Sequence, residues 1–301
     1  MAYETEQRDS FSTVNPIIAF VFFAFALIMS MLLMHPVLTG ISFFAALVWL
    51  FLLRGRKAFG LLLKFVLPVM ILTAILNPLF NHGGVTILFY LRYNPITLES
   101  ILYGAASALM LGTVITWFAC FNAVFTADKI VYLTGRLAPS LSLIISMALR
   151  FVPLFTKQAG RIALARRGAG SDASSRNIFK KARSGLSALS ALITWSLESS
   201  VTTADSMRAR GYGLHPRSSF ALFRFDRRDL VISLLLALGI AATGLAAGFG
   251  VISVRFYPSF KMNALSAPFI VFLLVYTLTL FIPFLLNLYE AHRWRLLRSK
   301  I

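Results

Sequence analysis

The sequence predicts an all-α, polytopic helical membrane protein with about six transmembrane helices and long cytoplasmic amphipathic helices. Three observations carry that prediction. Of the 301 residues, 58% are hydrophobic and 13% charged, with a mean hydropathy of +0.79, whereas soluble domains carry about 25% charged residues. Asp, Glu, Lys and Arg are absent from residues 10–53, 100–127, 230–254 and 262–289, and about 20 apolar residues suffice to cross a bilayer as a helix. The 29 Lys and Arg outnumber the 11 Asp and Glu, and 17 of those basic residues fall in 128–228 beside only 5 acids. A soluble enzyme, a disordered chain and a disulfide scaffold are thereby excluded. The apolar runs are continuous rather than alternating, which argues strongly against a transmembrane β-barrel.

Six spans fit the hydropathy: residues 16–34, 37–53, 59–76, 98–122, 230–252 and 264–288, with His35-Pro36 as a tight turn after the first. The N-terminal decapeptide MAYETEQRDS lacks a basic region and a small-residue cleavage site, so the first span is expected to stay attached. Orientation follows the Lys/Arg bias of the loops. With both termini cytoplasmic, Arg8, Arg54, Arg56, Lys57, the basic residues of 128–228, Arg293, Arg295, Arg298 and Lys300 face inward. Only Arg92, Arg255 and Lys261 face outward, and Lys64 snorkels from the inner end of a span. The chain thus divides into a transmembrane region (1–127), a cytoplasmic region (128–228), and a C-terminal hairpin with a basic tail (229–301). In the outer loop 77–95, Asn-Pro at either end and Gly83-Gly84 are turn signals, and its ILFYL run is expected to lie at the interface. Gly244 and Gly248 form a GxxxG pair that suits close packing within the protein. Cys120, the one cysteine, reads as a small buried hydrophobe.

The basic region is too polar to span throughout, yet it is patterned. Residues 140–167 read as one helix with Leu141, Ile144, Ala148, Phe151, Phe155, Ala159 and Ile162 on a face. Pro139 opens that helix, Pro153 is expected to kink it, and Gly168 to end it. A second helix covers 180–210, with Leu186, Leu189, Ile193, Leu197 and Val201 as its stripe; Ser184, Ser187, Ala191 and Thr194 on the neighbouring face suit a close crossing. The loop 169–175 joins them. Aligning 161–170 with 204–213 superposes Arg167 on Arg210, Gly168 on Gly211 and Gly170 on Gly213. One explanation is helix termination, because glycine favours the left-handed position after a helix and arginine complements the dipole. The other is recognition: an arginine at each end could make bidentate bonds to carboxylates in partner grooves.

Residues 147–170 (MALRFVPLFTKQAGRIALARRGAG), 197–213 (LESSVTTADSMRARGYG) and the loop before Thr97-Leu98-Glu99 resemble the T component of energy-coupling factor (ECF) transporters. The resemblance covers about 77–225. That family is marked by two Ala-Arg-Gly motifs ending long cytoplasmic coupling helices. Here Ala209-Arg210-Gly211 is intact, while Arg166-Arg167-Gly168 has arginine in place of the first alanine, leaving Arg166 and Arg167 as candidates, with Arg167 preferred. The resemblance implies a coupling subunit of a vitamin or metal-ion importer. Its expected partners are two cytosolic ABC ATPase subunits and one membrane-embedded substrate-binding S component, within the lipid bilayer. The Arg-Gly ends would dock the ATPases, and the stripes around Phe151, Phe155, Ile193 and Leu197 would pack the coupling helices and the S component.

Catalysis within this chain is not expected, nor a cofactor. Gly55 and Gly60 have P-loop spacing, but Leu61-Leu62 replaces the phosphate-binding Lys-Ser/Thr. His35, His82, His215 and His292 are scattered without metal-ligand spacing. Glu99 is expected to be structural. A stand-alone secondary transporter is the first rival, but it would want buried acids or broken helices in mid-span. A basic module binding anionic lipid or RNA is the second; its arginines end apolar helices instead of alternating with exposed aromatics, so nucleic acid is not an expected partner.

Overall fold

A computed structural model describes residues 10–81, 83–91, 94–170, 178–214, 223, 225–262 and 266–298. Arg8, His82, Arg92, His215, Lys300 and residues 171–175 of the loop lie outside the described residues. In chain order the helices are α1 (Pro16–Leu32), α2 (Pro36–Arg54), α3 (Arg56–Leu61), α4 (Leu67–Phe80), α5 (Leu98–Val124), α6 (Ala127–Leu137), α7 (Pro139–Gly168), α8 (Ile178–Ala209), α9 (Arg227–Gly248), α10 (Ala267–Leu280) and α11 (Ile282–Arg298). A π turn, Leu62–Val66, joins α3 to α4 so that Arg56–Phe80 runs as one rod. The chain forms two compact units, Met1–Thr126 with Phe223–Ile301, and Ala127–Leu222.

Every expected span has a helical counterpart. Proline opens α1 and α2, where its missing N–H costs nothing. Asn15 Oδ1 caps α1 by accepting the Ile17 N–H at 3.1 Å. The last span departs from expectation. Instead of one rod over 264–288, α10 and α11 meet at 56°, because Pro283 lacks the N–H needed to continue the ladder and its ring meets the preceding turn. α7 also departs: although it lies in the basic segment, it too is long and apolar enough to cross a membrane. α6 was not anticipated as a separate helix.

The outer loop has regular structure that the sequence reading left open. Its ILFYL run forms β1 (Ile87–Leu91), antiparallel to β2 (Asn94–Thr97) with an irregularity between Ile87 and Phe89. Aromatic and β-branched residues in both segments favour strand pairing. A second, two-residue pair joins Val254–Arg255 to Lys261–Met262. Glu99 anchors the larger hairpin to α5. It is 3% exposed and takes hydrogen bonds from the Thr86 N–H, at 3.3 Å, and from the Thr86 hydroxyl. Thr97 Oγ1 donates to Gly83 O at 2.8 Å and accepts the Ser100 N–H at 3.3 Å.

The core of this unit is aromatic. Phe23 stacks on Trp49 at 5.3 Å, Phe11 meets Trp49 edge-on at 5.3 Å, and Phe121 stacks on Phe125 at 4.5 Å. A buried indole needs an acceptor in an apolar interior; Trp117 Nε1 donates to Ser42 Oγ at 3.0 Å, itself 3.0 Å from Ser30 Oγ. Cys120 is fully buried, as expected. Glycine sets two helix crossings: a Cβ at Gly104 would stand 3.0 Å from Ala74 O, and one at Gly239 would collide with Thr279. The GxxxG of α9 does not serve this purpose among the described residues, none of which lies within 4 Å of the Gly244 and Gly248 Cβ positions. Close packing of α9 against α10 uses Gly239 instead.

Candidate functional site

The site residues lie on α7 and α8. At about 1.5 Å per residue, these 30- and 32-residue helices are rods of about 45 and 48 Å. α7 continues through Pro153 without interruption. On each helix the half-buried residues recur at three- and four-residue steps. On α7 they include Met147, Phe151, Phe155, Gln158, Ile162 and Arg166; on α8, Ser184, Ala188, Leu192, Trp195, Ser199, Thr203 and Met207.

Two contacts define the pairing. Phe155, stacked on Phe151 at 5.6 Å, meets Trp195 edge-on at 5.9 Å. The Arg166 guanidinium donates to Ser184 O at 2.7 Å. Phe155 to Arg166 and Trp195 to Ser184 are equal steps in opposite directions, so the helices are antiparallel along this stretch. Arg167 therefore stands beside the start of α8. Arg210 lies some 26 residues, or roughly 39 Å, further along α8.

The two candidate arginines of the first motif have different environments. Arg166 continues the half-buried face and is held by α8. Arg167, one position on, is turned about 100° away on a 3.6-residue helix. Its side chain is exposed and makes no hydrogen bond or ion pair among the described residues, and the same holds for Arg210.

The helix ends differ from the repeat read in the sequence. At α8, Gly211 has φ +74, its N–H bonds to Arg208 O at 2.9 Å, and the Tyr212 N–H bonds to Met207 O at 3.0 Å. This is the Schellman pattern, with Arg210 immediately before the left-handed glycine. At α7, Gly168 does not end the helix by a left-handed turn. It is the last helical residue, and Gly170, with φ +74, makes the corresponding bond to Arg167 O at 3.1 Å. Arg167 thus precedes its glycine by three positions and Arg210 by one.

Substitutions should separate these roles. Gly168→Ala is expected to leave the fold intact or stabilise it by up to about 1 kcal/mol, since alanine favours a helix and no described residue lies within 4 Å of that Cβ position. Gly211→Ala is expected to fray the end of α8, at about 1 kcal/mol, because an L side chain is strained at that φ. Hydrogen exchange at residues 206–212 and 164–170 measures both.

The stripes are only partly as expected. Phe151, Phe155 and Ile162 face the crossing, whereas Leu141, Ile144, Ala148 and Ala159 are exposed. On α8, Ile193 and Leu197 are 51% and 65% exposed, as are Leu186, Leu189 and Val201 to similar degrees. Of the small-residue row, Ser184 alone is half-buried; Ser187, Ala191 and Thr194 are exposed. Trp195 and the Ser184 carbonyl make the contact with α7; Trp195 was not singled out from sequence, whereas Ser184 belongs to the row expected at the crossing. A tryptophan within a row of Ser, Ala and Thr is the signal that could have found the first. Among the described residues, no three His, Cys, Asp or Glu converge as metal ligands.

A family model described as cobalt transport protein, CbiQ, matches residues 7–220. The energy-coupling factor transporter transmembrane protein EcfT of Lacticaseibacillus paracasei is 29% identical over 207 residues, 64% of this chain and 78% of the relative. Its Staphylococcus aureus namesake is 28% identical over 236 residues, covering 73% and 86% respectively. The Bacillus selenitireducens protein of that name is 27% identical over 191 residues, covering 60% and 71%. With more than two thirds of its length matched by that one model and several helices long and apolar enough to cross a membrane, the chain belongs to the CbiQ cobalt transport protein family.

Proposed function

We propose that this chain is the transmembrane coupling component of an ECF-type importer for vitamins or metal ions. It transmits ATP-driven motion from two cytosolic ABC ATPase subunits to a membrane-embedded S component that binds the substrate. ATP hydrolysis resides in the partner subunits, and this chain is non-catalytic. Both termini and the α6–α8 unit lie on the cytoplasmic side, supported by the 25 basic residues assigned inward against 3 outward.

The observation that carries this reading is the placement of Arg167 and Arg210. Each guanidinium is exposed at the end of a rod, and the antiparallel pairing sets them roughly 40 Å apart along α8. One grip is available for each of two motor subunits. A guanidinium fork suits a carboxylate in a groove, where paired charge-assisted hydrogen bonds form. Arg166, held within the helix pair, transmits displacement between α7 and α8 rather than docking. The exposed α8 stripe through Ile193 and Leu197 is the surface on which the S component rides. The Phe151–Phe155–Trp195 contact keeps the two rods moving together.

Affinity purification of the chain from membranes in mild detergent tests this reading. Two nucleotide-binding subunits and one small apolar membrane protein are expected with it. Recovery of the chain alone, active for uptake in proteoliposomes, would overturn the proposal in favour of a secondary transporter. Nucleic acid released by salt would overturn it in favour of a basic anchoring module.

A further inference from the structure

A cavity of about 530 Å³ opens along the α2, α3–α4 and α5 helices. Phe51, Phe59, Leu63, Met70, Ile71 and Ala105 are among its lining residues, and none of the lining is charged. The π turn passes through its wall, placing Leu62, Leu63 and Val66 along one side. Only 6% of the most apolar stretch of Arg56–Phe80 is buried by the rest of the chain, so the groove lies at the periphery of its unit.

Basic residues flank the α3 and π-turn part of the groove. Arg54 follows Phe51 by three residues and Arg56 precedes Phe59 by three, about one helical turn each. Lys64 adjoins Leu63 within the π turn. All three side chains are exposed and, among the described residues, make no hydrogen bond or ion pair. From Phe59 the wall runs to Ala74, about 22 Å of helix. This exceeds one leaflet's share, about 15 Å, of a 30 Å hydrocarbon core.

We propose that this groove is a site for one anionic phospholipid. An acyl chain lies along the apolar wall, and the phosphate is met by Arg54, Arg56 and Lys64. A transmembrane segment of another protein would fill the same wall without needing the basic side chains beside it. An anionic headgroup joined to a long apolar tail matches both features.

The test uses the full chain, purified and delipidated in detergent, then loaded with dioleoyl phosphatidylglycerol or dioleoyl phosphatidylcholine and read by native mass spectrometry. One phosphatidylglycerol is expected to be held about tenfold more tightly than phosphatidylcholine. R54Q/R56Q/K64Q, at exposed positions, is expected to erase that preference while leaving phosphatidylcholine retention unchanged. I71W/A105L, which fills the groove, is expected to lower retention of both lipids about tenfold; circular dichroism confirms that each variant is folded. Equal retention of the two lipids by the unmodified chain would overturn the proposal, as would unchanged retention by folded I71W/A105L. So would loss of a co-purifying membrane protein from I71W/A105L with lipid binding intact, which would make the groove a protein interface.

Discussion

Replacing Arg167 and Arg210 together by alanine is expected to abolish ATP-driven uptake while the chain remains in the membrane at its normal level. Both side chains are exposed and make no hydrogen bond or ion pair among the described residues, so truncating them removes nothing that holds the fold. In the assembled transporter, each would be an arginine fork desolvated against carboxylates, and losing one side of such a pair weakens association by about tenfold or more. With both grips gone, uptake is expected to fall at least about thirtyfold, and transport-stimulated ATP hydrolysis with it. R167K/R210K is expected to be intermediate, because an ammonium keeps the charge and loses the planar fork. Uptake assays with membranes quantified for the chain and for bound ATPase subunits check this. Unchanged uptake and ATPase recovery in the double alanine variant would refute docking through these residues.

Arg166→Ala is expected to act by a different route. Its guanidinium fastens the end of α7 to the Ser184 carbonyl at the start of α8. Loss of that bond costs about 1 kcal/mol, allowing for its partial exposure to solvent. The ATPases should still be recovered, but the clasp between the rods should loosen. Hydrogen exchange is expected to rise several-fold at residues 160–168, and uptake to drop less than in the Arg167→Ala, Arg210→Ala variant. If Arg166→Ala instead lost the ATPases with exchange unchanged, the assignments of Arg166 and Arg167 would be reversed. The pair of experiments therefore resolves two adjacent arginines that the motif leaves equivalent.

The spans were legible because about 20 uncharged apolar residues have few other uses. Pro283 was visible in the last span, but the break it causes depends on whether neighbouring helices can satisfy freed carbonyls, which is a tertiary property. The ILFYL hairpin was hidden because a short apolar run fits a strand or a helix until its partner is known. The faces of α8 were misread for a physical reason. Hydrophobicity marks a surface that is to be covered, but not whether the cover comes from this chain or from another, whereas small residues and a lone tryptophan mark close contacts between helices. Leu186, Ile193 and Leu197 accordingly stand exposed, while Ser184 and Trp195 meet α7. GxxxG in α9 misled in the opposite sense, because the spacing alone does not say that a helix of the same chain packs there, and none does among the described residues. The arginines were legible as helix-end residues, but the choice between them required knowing which side of α7 faces α8.

The offset between the two left-handed glycines also bears on symmetry. Arg210 abuts its turn, whereas Arg167 sits most of a helical turn upstream of its own. Two identical motors seated on these ends would receive differently shaped handles. Such an engine could be twofold in composition and still fire unevenly, with one half bearing the first stroke and the other following.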